Sequence, residues 1–224
     1  MRRLNIAFSF FLLLSTSGTA FSYLEGDLEQ LIDTNACNGC DLSGANLSSR
    51  KLRGADLRKA NLAGADLRSV DLRWANLVQA NMDRANLLGA DLNSADLSSA
   101  KLSRSRLDGA NFDHANLYLV DFDRASTRGI SLAYSNLGGA NLTGLNLTSV
   151  NLRESNLTGA NLNYCKLNGA NLIGANLSGA TLRGAHLRSA DLSSANLEGA
   201  DLRGADLTEA ILDGAIIEGA RFPW

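Results

Sequence analysis

The residues that could do chemistry are few. Cys37 and Cys40 form a Cys-Asn-Gly-Cys pair, with Cys165 far along the chain. A thiol pair at this spacing can exchange disulfides, supply half of a zinc site, or close on itself. Redox catalysis needs the first cysteine at a helix start inside a βαβ unit, and the flanking sequence offers none. Zinc needs two further ligands, and none lies nearby. A local disulfide is the reading the surroundings favour, with free thiols as the other. Cys165 reads as a buried, inert thiol.

The remaining titratable groups form no constellation. There is no Ser-His-Asp spacing, no phosphate-cradling glycine loop and no His/Asp/Glu cluster with metal-site spacing. Acidic residues recur evenly rather than in pairs, and His186 stands alone. The sequence predicts no enzyme, no cofactor and no metal. One set of larger side chains, Trp74, His114, Tyr134 and Glu154, is taken up below.

These residues must be held by something, and the chain has an unusual period. From Leu42 to Phe222 a large apolar residue returns every five positions without an insertion, with Thr127 as the exception, giving 37 pentads. Two residues before the centre is almost always Ala, between them usually Asn or Asp, and after the centre come two residues that are mostly polar or Gly. Five is neither the strand period of 2 nor the helix period of 3.6. Ala-Asn-Leu reads as in-out-in along a strand, and the next two residues turn a corner. Aromatics are only 6% of a chain that is 45% hydrophobic, so the core is thin, as in stacked repeats.

The A-[N/D]-L-x-x pattern from Cys40 to Trp224 resembles the pentapeptide-repeat family, in an exported, cyanobacterial-type form. The resemblance implies an all-β solenoid: a right-handed quadrilateral β-helix with four pentads per coil. Periodicity alone does not separate four walls from three. With four, 37 pentads make about nine coils, about 45 Å at the inter-strand spacing.

The chain divides into residues 1–22, 23–39 and 40–224. Arg2 and Arg3, an apolar run from Leu4 to Leu14 and the small residues up to Ser22 read as a signal peptide. Residues 23–35 read as a capping helix. Asp27 and Gln30 have capping-box spacing, and Leu28, Leu31 and Ile32 share one face. At the other end Ile211 and Ile216 occupy outward positions, and Phe222, Pro223 and Trp224 finish the chain. Either Trp224 folds over the last coil or this end meets a partner. End-to-end homodimers occur in the family, so the resemblance favours self-association through Ile211, Ile216, Phe222 and Trp224.

In a four-walled coil, residues twenty apart lie above one another. Asn76, Asp96, Asn116, Asn136, Asn156, Asn176 and Asn196 then form a column able to hydrogen-bond as an amide ladder. Trp74, Ser94, His114, Tyr134 and Glu154 form another, where other columns hold mostly Gly or Ser. Trp74, His114, Tyr134 and Glu154, flanked by Arg73, Asp113 and Arg153, are the protein-binding edge the sequence offers, over about 19 Å. Residues 103–135 are the least regular. Thr127 stands at a centre, leaving a void that Ile130 helps fill, and Ser105 and Ser135 replace Ala, so this stretch should be the weakest.

Composition then sorts the functions. Residues 40–224 hold 19 acidic and 19 basic residues, and no wall carries more than two acids in excess of its bases. A DNA mimic that occupies a topoisomerase, as some family members are, needs a strongly acidic tube. Neutrality also argues against nucleic-acid binding. The expected function is a noncatalytic structural or protein-binding scaffold of an exported compartment, periplasm or thylakoid lumen, with an unidentified protein partner and no membrane contact once the signal is removed. A thiol-redox role at Cys37 and Cys40 is the other alternative.

Overall fold

The computed structural model describes residues 23–223. Residues 1–22, which the sequence suggests are a signal peptide, and Trp224 lie outside the described residues.

One helix, α1 (Glu25–Thr34), precedes the repeats. It is shorter than expected, and the capping box does not form. Leu24 is the N-cap and makes no side-chain cap bond. Asp27 sits inside the first turn, where its Oδ2 accepts the Asp41 N–H at 2.7 Å. Gln30 reaches forward, donating from Nε2 to the Ala36 carbonyl. The carboxylate thus serves the first pentad rather than its own helix. Leu31 is fully buried and Leu28 packs against the core, but Ile32 is 47% exposed, off the packed face. Asn35 ends the helix in the left-handed region, its N–H returning to the Leu31 carbonyl.

From Ala36 onward each pentad contributes one paired residue per wall. Asn61 bridges Asn81, Asp71 bridges Asp91, and the pattern repeats up to Asp201 and Arg221, all parallel and all twenty residues apart. Four pentads therefore make one coil. The bridges stay isolated because the corner follows at once: Leu72 accepts from the Ala75 N–H, and Trp74 between them has φ 57°. A 4→1 bond with positive φ at the third residue is the type II turn arrangement, which is why Gly is common there. Each regular pentad makes three backbone bonds between coils, for example Leu62 N to Asn81 O, Gly64 N to Asp83 O and Asn81 N to Ala60 O.

The Asn/Asp position has a local and a vertical reason. The side-chain oxygen accepts the N–H two residues on, as in Asn76 to Val78 at 3.2 Å, an Asx turn that sets the corner. The amide can also donate to the residue one coil below. Asn116 donates to Asp96, Asn136 to Asn116 and Asn156 to Asn136, at 3.1, 3.0 and 2.9 Å.

Inside, Leu and Ala are almost all fully buried. Phe112 and Phe122 meet edge to face at 6.5 Å. Buried Ser105, Ser135 and Ser155 satisfy themselves by donating to Leu102, Leu132 and Leu152 carbonyls, so the Ser-for-Ala changes cost the tube no hydrogen bond. The irregularity is elsewhere. Ser126 and Asn146 form no bridge, although the steps before and after them in the ladder do.

Candidate functional site

Trp74, His114, Tyr134 and Glu154 all occupy the left-handed corner position, with φ of 57°, 60°, 59° and 53°. A side chain there leans along the tube towards the next coil. Glu154 shows it: its Cγ lies 3.2 Å from where a Cβ on Gly174 would stand, so glycine twenty residues on leaves it room. Tyr164 uses Gly184 in the same way.

The edge is two clusters, not one. The guanidinium of Arg53, one coil below, sits 3.8 Å from the Trp74 ring centroid, and that of Arg73 5.8 Å away. Arg73 is held by Asp71 at 2.6 Å and Asp91 at 3.4 Å. Two coils further, the His114 and Tyr134 rings stack in parallel, 4.9 Å apart with 4° between planes. Arg153 continues this group, donating to Glu154 Oε1 at 3.0 Å. The Tyr134 hydroxyl and then Glu154 raise its pKa further above the usual arginine range. Asp113 is turned away, accepting from the Ser131 hydroxyl and the Ala133 N–H. Ser94 separates the two clusters, its hydroxyl bonded to Asn93. Arg53 escaped the sequence reading because it belongs to the neighbouring column.

This geometry narrows the chemistry. His114 and Tyr134 each cover a face of the other, and Arg53 covers a face of Trp74. The rings offer edges, their remaining faces and guanidinium donors to a partner, with Trp74 and Tyr134 about half exposed. No nucleophile joins them.

At the N-terminal end Cys37 and Cys40 are joined by a disulfide with Cα atoms 5.3 Å apart. The Cys37 N–H donates to Asp56 O at 2.7 Å, so the bridge is built into the first coil. Cys165 is buried, and burial pushes its thiol up to about 12. At the other end Ile211 and Ile216 are exposed and Phe222 packs partly against the core. Ile217 belongs with them: it is a pentad centre, yet 51% exposed, with no described coil stacked on it.

The sequence reading also missed a surface groove lined by Ala63, Gly64, Asp83, Arg84, Ser103 and Arg104. Arg84 and Arg104 stand one coil apart at its corner. The signal was available, since both replace Gly in one column. Among the described residues no three His, Cys, Asp or Glu side chains are grouped to hold a metal, and no helix is long and apolar enough to cross a membrane.

Comparison with known proteins agrees with this geometry. The family model for pentapeptide repeats matches at residues 40–77, 66–107, 90–126, 128–163, 155–193, 165–204 and 185–222, leaving out Thr127. Among solved structures, the chain is similar to HetL, a pentapeptide repeat protein involved in heterocyst differentiation regulation from the cyanobacterium Nostoc sp. strain PCC 7120. Identity is 39% over 84% of this chain and 86% of that one, with TM-score 0.53. Full-length QnrB1, a plasmid-mediated fluoroquinolone resistance protein, is 23% identical over 84% and 91%, with TM-score 0.52. A pentapeptide repeat protein from the Arabidopsis thaliana thylakoid lumen is 33% identical over 55% and 73%, with TM-score 0.34. No curated protein matches the chain.

Proposed function

The chain belongs to the pentapeptide-repeat family, whose members fold as right-handed quadrilateral β-helices, and we propose that it is a noncatalytic scaffold that binds a protein partner through its outer walls. The observation that carries this reading is the division of the pentad. Ala and Leu fill most of the interior, so most of the variation lies at outward positions; Tyr118, Leu119 and Tyr164 are exposed on other walls, and the Trp74 to Glu154 edge is where four larger side chains share one column. A tube of about nine coils closed by α1 loses little conformational entropy on binding. The regulatory involvement of HetL supports a binding role over a catalytic one.

The protein acts in an exported compartment, periplasm or thylakoid lumen. The charged, apolar and small-residue order of residues 1–22 and the Cys37–Cys40 disulfide support export. The disulfide is structural: it closes the turn between α1 and the first coil, with none of the surroundings of a redox motif. The C-terminal end, where Ile211 and Ile216 are exposed and Phe222 packs only partly against the core, is the surface for self-association, to which the sequence adds Trp224. A DNA-mimic role is disfavoured by the equal numbers of acids and bases in the repeats.

The test is affinity capture from an exported-compartment extract with residues 23–224 as bait, against the same chain with Trp74, His114, Tyr134 and Glu154 changed to Ser. A partner retained by the first and lost by the second supports the edge. A partner retained by both moves the binding surface elsewhere.

A further inference from the structure

We propose that the wall carrying Ser126 and Asn146 is a built-in joint, at which the solenoid flexes as two rigid stacks. Every regular step along the tube repeats the same three inter-coil bonds, and here they fail together. By the pattern, Arg124 N, Thr127 N and Gly129 N should donate to Thr143, Asn146 and Thr148 carbonyls. Asn146 N and Asn151 N should donate to Ala125 and Ile130. None of the five forms, nor does the corner bond from Ile130 N to Thr127 O.

The pentad at 126–130 has not drifted free. It is tied to the coil below: the Ser126 hydroxyl donates to the Asp108 carboxylate at 2.6 and 2.7 Å, and Arg128 N donates to Asp108 Oδ1 at 3.0 Å. Towards the coil above, one side-chain bond remains, from Thr127 Oγ1 to the Asn146 carbonyl at 2.9 Å. The flanking walls hold, with Asp121 bridged to Asn141 and Ser131 to Asn151. One wall open between paired neighbours is the geometry of a hinge rather than of a break.

The cause lies in the core. Corners on this wall normally stack Ala on Ala. Here Ile130 lies directly below Val150, and Leu145 lies above Ala125. Branched side chains at the tightest positions spread the two coils, while Thr127, smaller than the Leu it replaces, does not fill the space at the centre. Solvent reaches the core as a result. Ala125 is 9% exposed, Ile130 and Val150 4% and Leu145 3%, where most inward residues are at 0 or 1%. In a solenoid, stability travels only through neighbouring coils, so one weakened interface separates two cooperative units. The outward columns cross this joint: Trp74, His114 and Tyr134 lie on its N-terminal side and Arg153 and Glu154 on the other, so its bending sets how Glu154 is presented beside Tyr134.

Residue-resolved native hydrogen exchange on residues 23–224 tests this. Gly129, Asn146 and Asn151 amides should exchange roughly 100-fold faster than Gly169, Lys166 and Asn171, which hold the equivalent positions one or two coils further along. A quadruple variant, Thr127→Leu, Ile130→Ala, Leu145→Ala and Val150→Ala, should bring the two sets together. Equal protection in the unmodified chain overturns the proposal, and that comparison stands even if the variant does not fold. Fast exchange that persists in a folded variant overturns the packing cause.

Discussion

The hydroxyl of Thr127 donates to the carbonyl of Asn146 at 2.9 Å, in the place where a leucine at the same position would pair through its backbone. The neighbouring centres on that wall do so: Leu107 N donates to Ser126 O and Leu147 N to Lys166 O. A side chain has taken over a main-chain bond.

Thr127→Val keeps the shape and removes that bond. It leaves the Asn146 carbonyl without this donor, and should destabilise by about 1–2 kcal/mol in urea unfolding. Thr148→Val, at an exposed outward position on the same wall, should change stability by less than about 0.5 kcal/mol.

Acid should loosen the C-terminal coils. Asp201 accepts from Arg203 and Arg183, and these bonds hold its carboxyl well below the usual carboxylate range. Its pKa is depressed on folding, so the unfolded chain binds the proton more readily. The contribution is complete above the unfolded value near 4 and is lost as pH falls through the folded value. Asp201→Asn should lower the urea midpoint at pH 7, and the gap to the unmodified chain should shrink as pH is taken below about 4.

The Cys165 thiol should be inert in the folded protein. With its pKa pushed up to about 12 and the group buried, almost no thiolate exists at pH 8. A thiol reagent should titrate no fast-reacting group in native protein, one in denaturant, and three in denaturant after reduction.

Leu177 and Ile217 are centres on one wall, two coils apart, and differ in what covers them. Leu177 is fully buried and Ile217 is half exposed. Leu177→Ala should cost about 3 kcal/mol, and Ile217→Ala less than about 1 kcal/mol in dilute protein. If the C-terminal end pairs, the second cost should rise with protein concentration, and equilibrium sedimentation of Ile217→Ala should show the weaker association.

Much of this architecture was legible because the pentad is so regular. Leu at nearly every centre and Ala two before it sort inside from outside directly, and the twenty-residue columns placed the Asn ladder, whose amide bonds form at three of its six steps, between Asp96 and Asn156. Legibility failed where a residue has competing partners. Asp27 has the spacing of a helix cap but bonds the first coil instead. The Trp74 to Glu154 column reads as one edge, yet it divides at Ser94, and Arg53 joins Trp74 from the neighbouring column, since a column says nothing of contacts between columns. The weak stretch was expected at residues 103–135, from the polar Ser105, Ser135 and Thr127. The serines bond locally and do no harm. Leu145 and Val150 escaped notice because they are apolar like the Ala they replace, and what matters at a corner is volume.

The binding role rests most directly on which wall touches another protein in the cell. Site-specific photocrosslinking would place the reactive side chain at Tyr134 and, for comparison, at Thr158, an outward residue on the neighbouring wall. The account predicts a discrete protein adduct from position 134 and none from 158. Adducts of equal yield from both, or from 158 alone, would contradict it.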